Sequence, residues 1–323
     1  MITRRLLAIL AAGTLAGAAG PDGYPLRTVR IVVPYPPGGT TDFVARLVAA
    51  RLTDRLGRNC IIENKPGASG AIGTESVARA APDGLTLLFG TINTHGTNSA
   101  VFKSLPYDPI ADFAAVSEVV SSPNVLIANS SAGMATLDDV LRRARETPGQ
   151  LAYGSTGHGG SPHMSAVLLA AMTGMSMKHV PYKGGGPMLN DLLAGHIPIA
   201  FDNLPSSMEQ IRSGAIRGIA VTTKDRAPSA PDVPTIAATV PGYEVSAWFG
   251  IFATKRAPDA LVQYLSNEIA TIVQEPDTRH RLIESGAVPV GNSPAAFTAV
   301  VVAEVEKWGS TWPKWRPCRS TDA

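Results

Sequence analysis

Short unbroken apolar runs alternate along this chain with stretches in which apolar residues return every three or four positions. The first kind predicts strands buried on both faces, and the second predicts helices that bury one face. Residues 28–33 form the first run. From 41 to 56, Phe43, Val44, Leu47, Val48, Leu52 and Leu56 keep helical spacing until Gly57 stops it. The unit recurs as a strand over 60–63, a helix over 74–80, the turn Pro82-Asp83-Gly84 and a strand over 85–89. After Ser122-Pro123 the pattern resumes with a strand over 124–128. Thr136 then caps a helix over 137–146 that Thr147-Pro148-Gly149 ends. Residues 151–154 lead into the loop STGHGGSPH and an apolar helix through Leu169. A strand over 197–201, a helix over 206–212 and a strand over 216–221 follow. The proline-rich segment 224–242 reads as a surface connection, 243–254 as a long strand, and 258–274 and 294–307 as helices.

This rhythm predicts an α/β fold of mostly parallel sheets covered by helices. A chain of 323 residues exceeds the roughly 250–300 residues at which a single core stops growing. The expected arrangement is therefore two α/β lobes, with two or more chain crossings between them. Twenty-eight basic against twenty-six acidic residues leave the chain near neutral, with no basic stripe, which argues against a nucleic-acid partner. Arg4-Arg5, the apolar run 6–12 and the small residues Ala16-Gly17-Ala18 read as an export leader over 1–18, cleaved after Ala18. The arginine pair leaves general and twin-arginine export both open. No other window is long enough to span a membrane. Cys60 and Cys318 could pair in an oxidising compartment, or Cys60 could be a small buried hydrophobe.

Three glycine-rich segments, PYPPGGTTD, NKPGASGAIG and STGHGGSPH, lie where a strand gives way to a helix. In open parallel sheets ligands bind at such strand ends, and a helix N-terminus offers unpaired N–H groups with about half a positive charge. Each is an anion seat that needs no Arg or Lys, and hydroxyls of Thr40, Thr41, Ser69, Ser155 and Thr156 add donors. The phosphate patterns G-x-x-x-x-G-K-[ST] and G-x-G-x-x-G are missing from the loop that opens the first helix, so a carboxylate fits better. Ser155 occupies a strand-to-loop turn like a hydrolase nucleophile, but Tyr153 stands where that pattern requires glycine. His95, His158, His163, His179 and His196 are scattered without metal-ligand spacing, and no metal site is expected. Asp202-Asn203 ends an apolar strand before Pro205, either facing a cleft or capping the next helix. Asp42 reads as a first-turn acid that favours the helix dipole. Segment 181–186, PYKGGG, either touches ligand or simply turns.

Several segments together, VRIVVPYPPGGTTD, IIENKPGASGAIGTESVARAAPDGLTLLFGT, LAYGSTGHGGSPHMSA, HVPYKGGGPMLNDLLAGHIPIAFDNLPS and IRGIAVTT, resemble in that order the Bug/TctC family. These are extracytoplasmic solute receptors of tripartite tricarboxylate transporters. The resemblance implies a two-lobed, type II periplasmic-binding-protein (Venus-flytrap) architecture. Residues 24–122 and 246–323 would form the first lobe and 123–245 the second. It implies a monomeric periplasmic receptor for a small carboxylate (dicarboxylate, acidic amino acid or aromatic acid) that serves integral-membrane transporter subunits, without cofactor, metal or catalytic residue. Carried over by motif, the ligand contacts are Gly38, Gly39, Thr40, Thr41, Ala68, Ser69 and Gly70 from the first lobe. The second lobe gives Ser155, Thr156, Gly157, His163, Asp202 and Asn203. Tyr35, where the family often has Phe, joins this set with an added hydroxyl, and the end of the chain from Ser310 departs from the family pattern. A secreted serine hydrolase using Ser155 and a ligand-binding partner of a sensor are the alternatives.

Overall fold

The computed structural model describes residues 20–315, so the leader over 1–18 and Cys318 lie outside the described residues. In chain order, β1 (Val29–Val33), α1 (Thr40–Leu56), β2 (Cys60–Asn64), α2 (Ala71–Ala78), β3 (Thr86–Thr91) and the short α3 (Asn98–Val101) lead to the long strand β4 (Phe113–Asn129). Next come α4 (Leu137–Glu146), β5 (Ala152–Ser155), α5 (Ser161–Thr173), β6 (Lys178–Pro181), α6 (Gly185–Leu193), β7 (Ile199–Asn203), α7 (Leu204–Arg212) and β8 (Ile216–Val221). The chain returns through β9 (Ser246–Thr254), α8 (Asp259–Gln274), α9 (Pro276–Ser285), β10 (Val288–Pro289) and α10 (Pro294–Trp315).

The strands order as β2-β1-β3-β9-β4-β7-β5-β6, with β8 and β10 also pairing to β4. β1 runs parallel to β2 and β3, and β5 runs parallel to β6 and β7, while β9 and β4 are antiparallel to their neighbours. β4 serves both lobes. Its first part pairs with β9 as far as Pro123 opposite Ser246, and from Asn124 opposite Asn203 it pairs with β7 and β8. The sequence pattern starts a new strand at Asn124 because proline lacks a ladder donor. The structure instead runs one strand through Pro123 and places the proline where the ladder changes partners, so the missing N–H falls at the junction between lobes.

The unbroken apolar runs are explained by burial on two faces. Val29, Ile31 and Val33 enter the core beneath α1 and α8, while Val32 between them enters the opposite core with Phe252, Phe297 and Val301. In the second lobe Leu126 and Ala128 face α4 and α5, and Val125 and Ile127 face α6 and α7. Besides the one-turn α3, two helices escape the sequence pattern. The Gly-Gly-Gly-Pro run hides the start of α6, whose Met188, Leu189 and Leu192 are buried, and the polar α9 buries only Thr278 and Leu282. α10 extends past the expected 307, and Trp308 packs against Met164 of α5. Cys60 is a free, buried thiol whose pKa burial pushes up to about 11, which suits the role of a small hydrophobe.

Candidate ligand-binding site

The loop between β1 and α1 is held by one carboxylate. Asp42 accepts the Gly38 N–H (3.2 Å) and Arg46 Nε (3.0 Å) on Oδ2, and Asn64 Nδ2 (2.8 Å) and Arg46 Nη2 (2.9 Å) on Oδ1. The same Asn64 amide donates to the Tyr35 carbonyl at 3.0 Å. Burial raises the Asp42 pKa, but the bonds from Arg46, Asn64 and Gly38 outweigh it and hold the carboxyl below its usual range. Asp42 thus does more than favour a helix dipole. It sets the turn in which Gly38 takes φ +91°, a conformation that suits glycine, and leaves Gly39 as the N-cap of α1.

The N-terminus of α1 opens onto a narrow cleft between the lobes. Its walls include Tyr35, Gly39, Thr40 and Thr41 from the first lobe, and Thr156, Ser161, Gly184, Gly185, Asp202 and Asn203 from the second. These are the N-cap or first-turn residues of α1, α5, α6 and α7, together with the ends of strands that precede them. Four helix N-termini therefore converge on one space, and among the described residues no lining residue is Lys or Arg. The donors differ in availability. The Ser161 N–H of α5 is given across the cleft to Asn93 Oδ1 (3.2 Å), whereas helix geometry leaves the first N–H groups of α1 and α6 without carbonyls of their own. The Thr40 hydroxyl is buried without a hydrogen-bond partner.

Asp202 reconciles its two sequence readings. Its Oδ2 accepts the hydroxyls of Ser206 (2.5 Å) and Ser207 (2.7 Å) in the first turn of α7, and its Oδ1 has no partner and lies beside Gly185 in the cleft. Burial without a counter-charge raises its pKa, opposed by the two serine hydroxyls. Asn203 Nδ2 donates to Asn124 Oδ1 at 2.6 Å, which ties the cleft to the residue where β4 passes between lobes.

The other sequence-named residues surround this space without lining it. Ala68 and Ser69 hold left-handed φ of 45° and 51°, and Ser69 faces the Gly157 loop across the lobe boundary. Gly70 packs against Tyr35 and Thr94. Ser155 is fully buried, donates to the Gly157 carbonyl (3.2 Å) and meets His179 Nε2 at 2.7 Å. That serine–histidine pair lacks the third member of a hydrolytic triad, because His179 Nδ1 is buried with no hydrogen-bond partner. His163 Nδ1 accepts the Gly159 N–H (3.1 Å), and its ring stacks on His179 at 4.1 Å.

Sequence reasoning passed over Thr91, Asn93 and Phe249, which also line the cleft, as do Gly184 and Gly185 of segment 181–186. Thr91 Oγ1 bonds the Tyr35 hydroxyl (3.2 Å) and accepts the Asn93 N–H (3.2 Å). Its signal was its place at the end of β3, one more strand end in an open sheet. Across the lobes, Gly39 lies against Gly185 and Gly186 against Pro37, and Thr97 Oγ1 donates to the Gly159 carbonyl. The lobes are in contact, as in a closed state.

Known proteins share this fold. An R. palustris protein solved with adipate is 40% identical, with a TM-score of 0.87 over 89% of this chain and 96% of its own. The periplasmic binding protein BugD is 32% identical, with a TM-score of 0.86 over 90% of this chain and 98% of its own. MatC from Rhodopseudomonas palustris, solved with malate, is 33% identical, with a TM-score of 0.84 over 89% and 99%. The model of the tripartite tricarboxylate transporter family receptor, TctC, matches residues 44–314. With that match over most of its length and these neighbours in structure, the chain belongs to the TctC family of tripartite tricarboxylate transporter receptors.

Proposed function

We propose that this protein is a monomeric periplasmic receptor that closes its two lobes on a small carboxylate and presents it to the integral-membrane subunits of a tripartite tricarboxylate transporter. It binds without turning its ligand over. The observation that carries the reading is the convergence of the N-termini of α1, α5, α6 and α7 on a cleft whose walls hold no Lys or Arg. Such ends favour anions, and hydrogen bonds to a charged acceptor contribute more than neutral ones. Adipate and malate in the related structures make a dicarboxylate the first candidate. Contacts to both lobes favour the closed form by their differential affinity for it. We take residues 24–122 and 246–323 as the first lobe and 123–245 as the second. Among the residues named from sequence, we take Tyr35, Gly39, Thr40, Thr41, Thr156, Asp202 and Asn203, which line the cleft, as the direct ligand contacts.

The test is calorimetric titration of the purified protein with malate, adipate, acidic amino acids and uncharged sugars, repeated with Thr40→Pro. Proline suits the first position of a helix, so α1 persists while one N–H is lost. Loss of a bond to a charged ligand removes about 1.5–3 kcal/mol, and affinity should fall about 10-fold or more. Binding only of sugars, or undiminished carboxylate binding by the variant, would overturn the reading.

A further inference from the structure

Three histidines far apart in sequence meet beside the STGHGG loop. His158 comes from the loop, His163 from the first turn of α5 and His179 from β6, and one nitrogen of each lies within 4.8 Å of the others. None of the three lines the ligand cleft. His158 is exposed, while His163 is buried and His179 half-buried. Ser155 Oγ meets His179 Nε2 at 2.7 Å and accepts the Gly157 N–H at 3.3 Å; in the tautomer that donates Nε2–H to Ser155, the lone pair of the ring stands on Nδ1. This Nδ1 is buried with no hydrogen-bond partner, and an unsatisfied buried acceptor is destabilising. The lone pair of His163 is likewise on Nδ1, where it accepts the Gly159 N–H.

We propose that His158, His163 and His179 form a binding site for a divalent transition-metal ion of borderline softness, with Zn²⁺ as the reference ion, separate from the carboxylate cleft. Neutral imidazoles are ligands of choice for such ions, and three of them leave a fourth position open to water. Ligand nitrogens around tetrahedral Zn²⁺ stand about 3.3 Å apart, so each ring moves by about 1 Å to close the site. In doing so the stacked rings of His163 and His179, now inclined by 21°, fan apart, and the ion replaces the Gly159 N–H at His163. Ser155 then acts from behind His179 as the acceptor that holds the ligating tautomer.

Calorimetric titration of untagged, chelator-stripped protein with Zn²⁺ should show saturation at one ion per chain. His158→Gln and His179→Gln should each weaken binding by at least about 10-fold, and His196→Gln, on an exposed ring paired with Asp191, should leave it unchanged. His158 is exposed, so its variant tests the site even if His179→Gln folds poorly. Co²⁺ in place of Zn²⁺ should give visible absorption bands of nitrogen ligation that His158→Gln abolishes. Absence of stoichiometric binding, or binding that survives His158→Gln and tracks His196, would overturn the proposal.

Discussion

Gly186 stands where the two lobes meet. A β-carbon built there lies 3.0 Å from the Pro37 carbonyl oxygen, and 3.8 Å from Gly38. Pro37 belongs to the loop before α1 and Gly186 to the first turn of α6, so the contact exists only while the lobes are together. Gly186→Ala therefore crowds a backbone oxygen that cannot rotate away, and one loop must give by a few tenths of an ångström. Overpacking of this kind costs about 1–3 kcal/mol. In the open form the methyl group meets no such neighbour, and alanine inside a helix is favoured over glycine by about 0.5–1 kcal/mol. The two effects have opposite signs. Affinity for a carboxylate should fall about 5–150-fold, while the thermal midpoint of the ligand-free protein stays level or rises. Titration calorimetry with malate or adipate, beside melting curves without ligand, separates them. Unchanged affinity in Gly186→Ala would refute closure through this contact, and a fall in ligand-free stability would show that the glycine serves folding instead.

Asp42→Asn removes the charge that gathers Gly38, Asn64 and Arg46, so carboxylate affinity should drop with the anion seat. Because the folded pKa of Asp42 is depressed, the stability it contributes is present above the carboxyl's ordinary value of 3.8 and is lost as pH falls through the folded value; acid melting curves of the variant should lack that phase. His95 is buried, stacked on Phe252 at 3.8 Å, with its pKa pushed down by burial to about 3. The unfolded ring takes up a proton first, so this residue alone should lower stability from about pH 6.5 downward, by about 2 kcal/mol at about pH 5, and His95→Phe should decline by that much less than the wild type in pH-dependent denaturant melts. For Asp202 the sign reverses: its raised pKa makes stability fall as pH rises above 3.8. Asp202→Asn keeps an acceptor for Ser206 and Ser207, and its melting temperature relative to the wild type should climb toward neutral pH. A constant gap would mean that the carboxyl has a counter-charge.

What the sequence made legible follows from local rules. Periodicity located α1, because Val44, Leu47, Val48 and Leu52 all face one core, and the doubly buried strands announced themselves as unbroken apolar runs. The glycine-rich strand ends pointed to the cleft for the same reason, since a backbone bare of side chains allows the lobes to approach there. Long-range pairing was not legible. Nothing near Asn93 in the chain says that its side chain will take the first N–H of α5, 68 positions away, and nothing in the Gly184-Gly185-Gly186-Pro187 run says that a helix rather than a turn begins there. Ser155 and His163 read as cleft residues because they flank the third loop. They turn inward because β6 brings His179 behind that loop, and parallel pairing of β5 with β6 is a tertiary choice.

The same limit explains the electrostatics of the cleft. Among the described residues, Asp202 alone brings a charged side chain to its walls, of the wrong sign for an anion. Positive potential there comes from backbone dipoles, and a dipole has direction only once the helix has a place. Four helices of modest length, each starting at the end of a parallel or central strand, point their N-termini at one space because right-handed crossovers put every such start on the same edge of its sheet. Rigid N–H groups held by Asp42 on one side and by the α6 turn on the other need no reorganisation to receive a carboxylate. A lysine or arginine in the same place would carry more charge, but it would lose rotamer freedom and bind the open lobe nearly as well as the closed one. Dividing the seat between two lobes makes the ligand's full set of donors available only on closure, and that difference is what allows a small anion to move a two-lobed protein.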